Sequence, residues 1–109
     1  MRRVVAYVPD LMDRSKVAAA LAGEQLVFVT DRAGLEPAVA AAATDLVVLD
    51  LARPGALDAL PRLAGAGVRT IGYGSHVDRE LADAARAAGC GEVYTRSAFF
   101  SRLAEVLAG

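Results

Sequence analysis

The chain has one cysteine, one histidine and no tryptophan. A single thiol excludes an internal disulfide and any zinc site built from several thiolates, and it fits a reducing compartment. Cys90 itself, just behind a glycine that ends a helical stretch, reads as a small buried apolar residue rather than a reactive thiol. Charge of one sign is also missing. Twelve basic residues are scattered among thirteen acidic ones, for a formal net charge of -1, so the clustered positive field that nucleic acid requires is absent. Nucleic-acid binding by this chain alone is not expected. No apolar run approaches the roughly 18 residues of a membrane span, because Asp, Glu, Pro or Gly cuts each one, and no signal peptide is visible. The expectation is a cytoplasmic protein with no membrane contact.

What remains is rich in Ala, Val and Leu. In 109 residues, about one domain, these must form a lean, closely packed core. The most apolar stretch is Leu46-Val47-Val48-Leu49, and it ends at Asp50 before a turn through Ala52-Arg53-Pro54-Gly55. Four branched aliphatic residues in succession read as a strand buried on both faces, as in a parallel sheet covered by helices. Ligands and chemistry collect outside the carboxyl ends of such strands. Asp50 is therefore presented at the functional edge.

Short β-branched runs occur at Val4 to Val8, Leu26 to Thr30, Leu46 to Asp50, Val68 to Tyr73 and Glu92 to Thr95. Between them lie Ala-rich stretches with helical spacing: Val17 and Leu21; Leu35, Val39 and Ala42; Leu57, Leu60 and Ala64; Val77, Leu81, Ala84 and Ala88. A fifth helix carries Phe99, Leu103 and Val106. Gly23, Gly65, Gly67 and Gly89 stand where helices should stop. Strands joined by helical crossovers run parallel, with right-handed connections. The expected architecture is an α/β, flavodoxin-like (βα)5 three-layer sandwich with strand order 2-1-3-4-5. That order sets strands 1 and 3 side by side, so Asp10 should face Asp50. Residues 1–109 read as one domain, with no appended effector.

Five features in order resemble the receiver domains of two-component response regulators. They are an acid after the first strand (Asp10), the aspartate ending the third (Asp50), Pro54 four residues later, the Ala88-Gly89 pair closing the fourth helix, and a basic residue after the fifth strand (Arg96). The resemblance covers the whole chain. It implies that Asp50 is the position that would accept a phosphoryl group from a kinase phosphohistidine. It implies a magnesium site made by Asp10, Asp50 and the main-chain carbonyl of Ala52, held weakly or not at all if the member is degenerate. Phosphoryl transfer depends chiefly on positioning and on neutralising charge over the oxygens, which is why carboxylates, a cation and a basic side chain must meet there.

Departures from the family pattern surround this inner set. The first of two adjacent acids after the first strand is Pro9. The hydroxyl residue that ends the fourth strand in receivers is Gly74, with Ser75 one step on, where strand alternation would turn its side chain away unless a bulge re-aims it. The aromatic rotor of the fifth strand is Val93, with Tyr94 next to it. The phosphoryl-contacting lysine is Arg96, which keeps the charge but has a planar fork and a different reach.

Plainer roles compete with these. Asp10-Leu11-Met12-Asp13 has the form of a helix cap with an acid three residues on. Ser75 with Asp78 has the same form and is expected to cap the fourth helix. Ser75-His76-Val77-Asp78 is not expected to act as a triad, since neighbours in a tight turn rarely converge with the imidazole between the other two groups. A dinucleotide site is excluded by the first strand, where Val8-Pro9-Asp10-Leu11-Met12 has no glycine to admit a pyrophosphate. The reading that follows is a stand-alone receiver-like signalling domain, not an enzyme. It is expected to be degenerate and to act through protein contacts. Its partner would be a histidine kinase, a phosphotransfer protein or an effector, met by the fourth helix, fifth strand and fifth helix. Arg86, Glu92, Arg102 and Glu105 would supply charge, and the same face is open to homodimer formation. The alternatives are a competent phosphoacceptor in which Ser75 replaces the missing hydroxyl, and a small-molecule binder or minor enzyme using Asp50, His76 and Arg96.

Overall fold

In the computed structural model, which describes residues 1–75 and 77–108, five strands alternate with helices. The strands are β1 (Arg3–Tyr7), β2 (Gln25–Val29), β3 (Leu46–Asp50), β4 (Arg69–Gly74) and β5 (Glu92–Thr95). Between them run α1 (Leu11–Ala20), α2 (Arg32–Ala41), α3 (Ala56–Gly65) and α4 (Arg79–Ala87), and β5 is followed by α5 (Arg96–Ser101) and α6 (Leu103–Ala108). The sheet order is β2-β1-β3-β4-β5, and every pairing is parallel. This is the flavodoxin-like arrangement expected from the alternation of segments.

The strand alternation divides the core in two. Val5, Tyr7, Val47 and Leu49 face Leu35, Leu60, Leu63 and Ala85 on α2, α3 and α4. Val4, Ala6, Val48 and Ile71 face Val17, Phe99, Val106 and Leu107 on α1, α5 and α6. Both faces of β1 and β3 are covered, and every residue of these two strands is buried. That explains why their sequences are continuous apolar runs rather than alternating ones. Besides Asp50 at the end of β3, the exception is Arg3, whose Nη1 donates to the carbonyls of Ala38 (2.8 Å) and Ala42 (3.4 Å) and to Thr44 Oγ1 (2.6 Å). It serves carbonyls that the end of α2 leaves without helical partners.

Helix ends follow the glycines for the most part. Gly23, Gly67 and Gly89 adopt left-handed φ just past α1, α3 and α4, while Gly65 is the last residue of α3. Two sequence expectations are corrected. Ser75 does not cap the fourth helix: Asp78 does, its Oδ1 accepting from the Leu81 amide at 3.0 Å, and α4 begins at Arg79. The C-terminal helix is not continuous either. It breaks at Arg102, where φ is -126° and ψ 31°, and restarts with the Val106 amide donating to the Arg102 carbonyl. No Pro or Gly marks this break. Ser101 Oγ donates to the Ala98 carbonyl at 3.2 Å, a side-chain bond of the kind that competes with the helical ladder.

Candidate functional site

The carboxyl ends of the parallel strands share one edge, and the register fixes which residues meet there. β3 pairs with β4 so that Asp50 lies beside Tyr73. Asp50 ends a strand that is otherwise fully enclosed, and is itself only 7% exposed. Its Oδ1 accepts from the Ala52 amide at 3.1 Å, and its Oδ2 accepts from Arg53 Nε at 3.2 Å. Tyr7, on the neighbouring strand, donates its hydroxyl to the Pro54 carbonyl at 2.8 Å and so fastens the loop that carries these partners. Burial, together with the negative charges of Asp31 and Asp50, raises the Tyr7 phenol above its ordinary value despite the opposing Arg53. It remains a donor at neutral pH.

Asp10 precedes α1, and its Oδ1 accepts from the Asp13 amide at 3.0 Å. This is the capping bond of the helix N-terminus. Asp13 does not return the favour to Asp10, as a reciprocal capping box would require. Its carboxylate turns inward, is wholly buried, and takes both terminal nitrogens of Arg96, with Nη1 to Oδ2 at 2.7 Å and Nη2 to Oδ1. The Tyr73 hydroxyl donates to Asp13 Oδ2 at 3.0 Å. The Arg96 guanidinium lies against the rings of Phe100 and Tyr73, at 5.0 and 5.8 Å from their centroids. Tyr73 is in turn stacked on Phe99 at 4.6 Å. The planar fork matches the carboxylate in two-point fashion, which a lysine ammonium does not do.

The hydrogen bonds and charges of this group favour one protonation state for each member. Burial opposes the charged form of Asp13, but hydrogen bonds from Arg96 and Tyr73 and the charges of Arg96 and Lys16 outweigh it, so the carboxyl sits below its ordinary value. The hydrogen bond to Asp13 raises Arg96 further above neutrality. Burial and the nearby Asp50 and Asp13 push the Tyr73 phenol far up. All three are held as anion, cation and neutral donor.

A cleft of about 530 Å³ opens at this edge, and its walls include Lys16, Asp50, Ala52, Ser75 and Arg96. Four of the residues singled out in the sequence thus share one cleft. Asp10 is not among the described residues that line it. Ser75 is exposed, and its Oγ accepts from the Val77 amide at 3.4 Å. The bulge-free strand beside it is shaped by Leu51, whose side chain lies over Gly72. A Cβ at Gly72 would sit 2.7 Å from Leu51 Cδ2. On β5, Val93 packs toward the α2–α4 side and Tyr94 toward the opposite core, where its hydroxyl donates to Glu92 at 2.9 Å. Tyr94 therefore does not take the place of an aromatic at 93. A second groove of about 490 Å³ runs between α4 and β5, bounded by Leu81, Arg86, Val93 and Thr95. His76 lies outside the described residues.

Sequence reasoning missed Asp13, Tyr73 and Arg53. Asp13 read as a capping acid and Tyr73 as a core strand residue. The signal available for Arg53 was its position in the turn three residues after Asp50, within reach of that carboxylate. Among the described residues no group of three or more His, Cys, Asp or Glu side chains could hold a metal ion. No helix among them is long and apolar enough to cross a membrane.

No protein-family model matches the sequence, and no curated protein is significantly similar to it. Solved structures are similar in shape. A response regulator from Hahella chejuensis aligns with a TM-score of 0.86 at 22% identity, covering 99% of this chain and 93% of that one. The receiver domain of the TMAO respiratory system response regulator TorR aligns at 0.83 and 17%, covering 99% and 98%. NtrX from Brucella abortus aligns at 0.84 and 20% over 99% of this chain, which spans only 26% of the NtrX chain. The chain has the fold of response-regulator receiver domains.

Proposed function

We propose that the chain is a receiver-like signalling domain of the two-component type, degenerate in its phosphorylation site and acting through protein contacts rather than as an enzyme. The observation that carries this reading is the internal use of the site's charges. Arg96, which by resemblance would meet a phosphoryl group, is held in a two-point ion pair with Asp13, and the Asp50 carboxylate is engaged by Arg53. A phosphoryl group on Asp50 would arrive with its attracting cation already taken. The donors also do not fit a tightly held magnesium ion. Pro9 removes one acid, Asp10 spends one oxygen on its cap, and the Arg53 guanidinium occupies one of the two Asp50 oxygens. A divalent ion brought there would have to displace the Arg53 guanidinium, which lies 3.2 Å from the carboxylate oxygen.

The partner surface in this reading is the face of α4, β5 and the two C-terminal helices α5 and α6. Arg86, Arg102 and Glu105 are exposed there, and the groove between α4 and β5 lacks an aromatic at position 93 to fill it. The protein partner is a kinase, a phosphotransfer protein or an effector, and a second copy of the chain is an equivalent occupant. The test is exposure to acetyl phosphate with magnesium, followed by intact mass measurement, with Asp50→Asn as control. The wild type is expected to stay unmodified. A stoichiometric adduct that disappears in Asp50→Asn would replace this reading with that of a working phosphoacceptor.

A further inference from the structure

Asp13 is a fully buried carboxylate with no part in the family resemblance, and it nonetheless holds the arginine of the cleft, Arg96. Both of its oxygens are used: Oδ1 by Arg96, and Oδ2 by Arg96 and by the Tyr73 hydroxyl. The three groups come from α1, β4 and the start of α5, so the cluster ties three elements together at this edge. Arg96 is half exposed, at 49% of its side-chain surface, and lines the same cleft as Asp50, Lys16 and Ser97. It has room to turn toward the cleft. What prevents this is the two-point bond to Asp13, reinforced by the flanking Phe100 and Tyr73 rings.

We infer that Asp13 is an internal competitor for oxyanions: its carboxylate occupies the Arg96 fork in place of an external phosphoryl or phosphate group and thereby keeps the cleft closed to such ligands. The inference deepens the proposed function, since it identifies what holds the site silent, and it rests on that reading only for its biological meaning. A carboxylate and a phosphate offer the same pair of acceptor oxygens to a guanidinium fork, so the two are alternatives for one donor set. The internal one has the advantage of being covalently attached and already desolvated. It therefore wins at ordinary phosphate concentrations. Removing it frees the Arg96 fork beside Lys16 and Ser97, and leaves Asp50, already paired with Arg53, as the carboxylate that lines the cleft.

The experiment uses inorganic phosphate as the probe, followed through amide shifts of Gly74, Ser75 and Ser97 in wild type, Asp13→Asn, Asp13→Ala and Asp13→Ala/Arg96→Gln. Asp13→Ala is expected to bind phosphate about tenfold or more tightly than wild type, the scale of one charge-assisted hydrogen bond, with Asp13→Asn in between. The gain should vanish in the double variant. Unchanged affinity in a folded Asp13→Ala, or a gain that survives Arg96→Gln, would overturn the inference. A measurement on the unaltered protein guards against a variant that fails to fold. Arg96 side-chain nitrogen resonances should show hindered rotation and slow exchange, and a freely rotating guanidinium would equally overturn it. This outcome is separable from that of the acetyl phosphate test: a locked Arg96 together with an Asp50 adduct would sink the degenerate reading alone, whereas a free Arg96 without an adduct would sink only the role of Asp13.

Discussion

At the scale of single residues, the account turns on Asp13. Its folded carboxyl titrates below the ordinary value of 3.8, so it binds protons less readily in the folded chain than in the unfolded one. The stability it contributes is therefore fully present above that ordinary value and is lost as pH falls through the folded one. Asp13→Asn should cost about 1 to 3 kcal/mol at neutral pH, the range for losing charge-assisted hydrogen bonds, with half-exposed Arg96 keeping the figure toward the lower end. In urea unfolding followed from neutral to acid pH, the gap between wild type and variant should narrow as Asp13 protonates. A gap that stayed constant would mean that the charge of Asp13 is not what matters. Glu92, lowered by Arg69 and Tyr94 against the opposing effect of burial, contributes in the same direction and remains in both proteins. Tyr73→Phe keeps the stack on Phe99 and deletes only the hydroxyl, and a loss of about 0.5 to 1.5 kcal/mol is expected in the same urea measurement.

At the scale of elements, the strands were the legible part of the sequence. Parallel strands buried on both faces leave unbroken apolar runs, and Leu46 to Asp50 was readable to the residue, while β1 and β2 begin and end one residue earlier than their runs suggested. Helix starts were less legible, because Ser75 and Asp78 are both good capping residues and only the path of the loop decides between them. The break at Arg102 was invisible, since neither neighbour is a helix breaker. The inward turn of Asp13 was hidden for a related reason: an acid in the first turn of a helix has a sufficient local explanation in the helix dipole, and a partner 83 residues away leaves no local trace. Gly72 shows how an element carries a tertiary requirement. Gly72→Ala would drive a Cβ to 2.7 Å from the end of the Leu51 side chain, which is 3% exposed and would have to shift. A loss of about 1 to 3 kcal/mol is expected, in line with overpacking of a filled core, and Leu51→Ala in the same background should recover part of it. An additive double variant would show that the two do not press on each other.

For the whole molecule, the sheet order and the two cores make a rigid frame whose one edge collects Asp50, Arg53, Asp13, Arg96 and Tyr73. In this frame two of the positive charges at the edge are satisfied from within, Arg53 by Asp50 and Arg96 by Asp13. The fold is that of response-regulator receiver domains, and in the proposed reading Arg53 and Arg96 at its edge already have the internal partners that a phosphoryl group would have to displace. The most direct measurement is an NMR titration of the folded wild type with beryllofluoride and magnesium, an acyl-phosphate mimic, beside Asp50→Asn. The account predicts that the amides of Ala52, Gly74, Ser75 and Arg96 keep their positions in both proteins. Saturating shifts at these amides that require Asp50 and spread to α4 and β5 would contradict it.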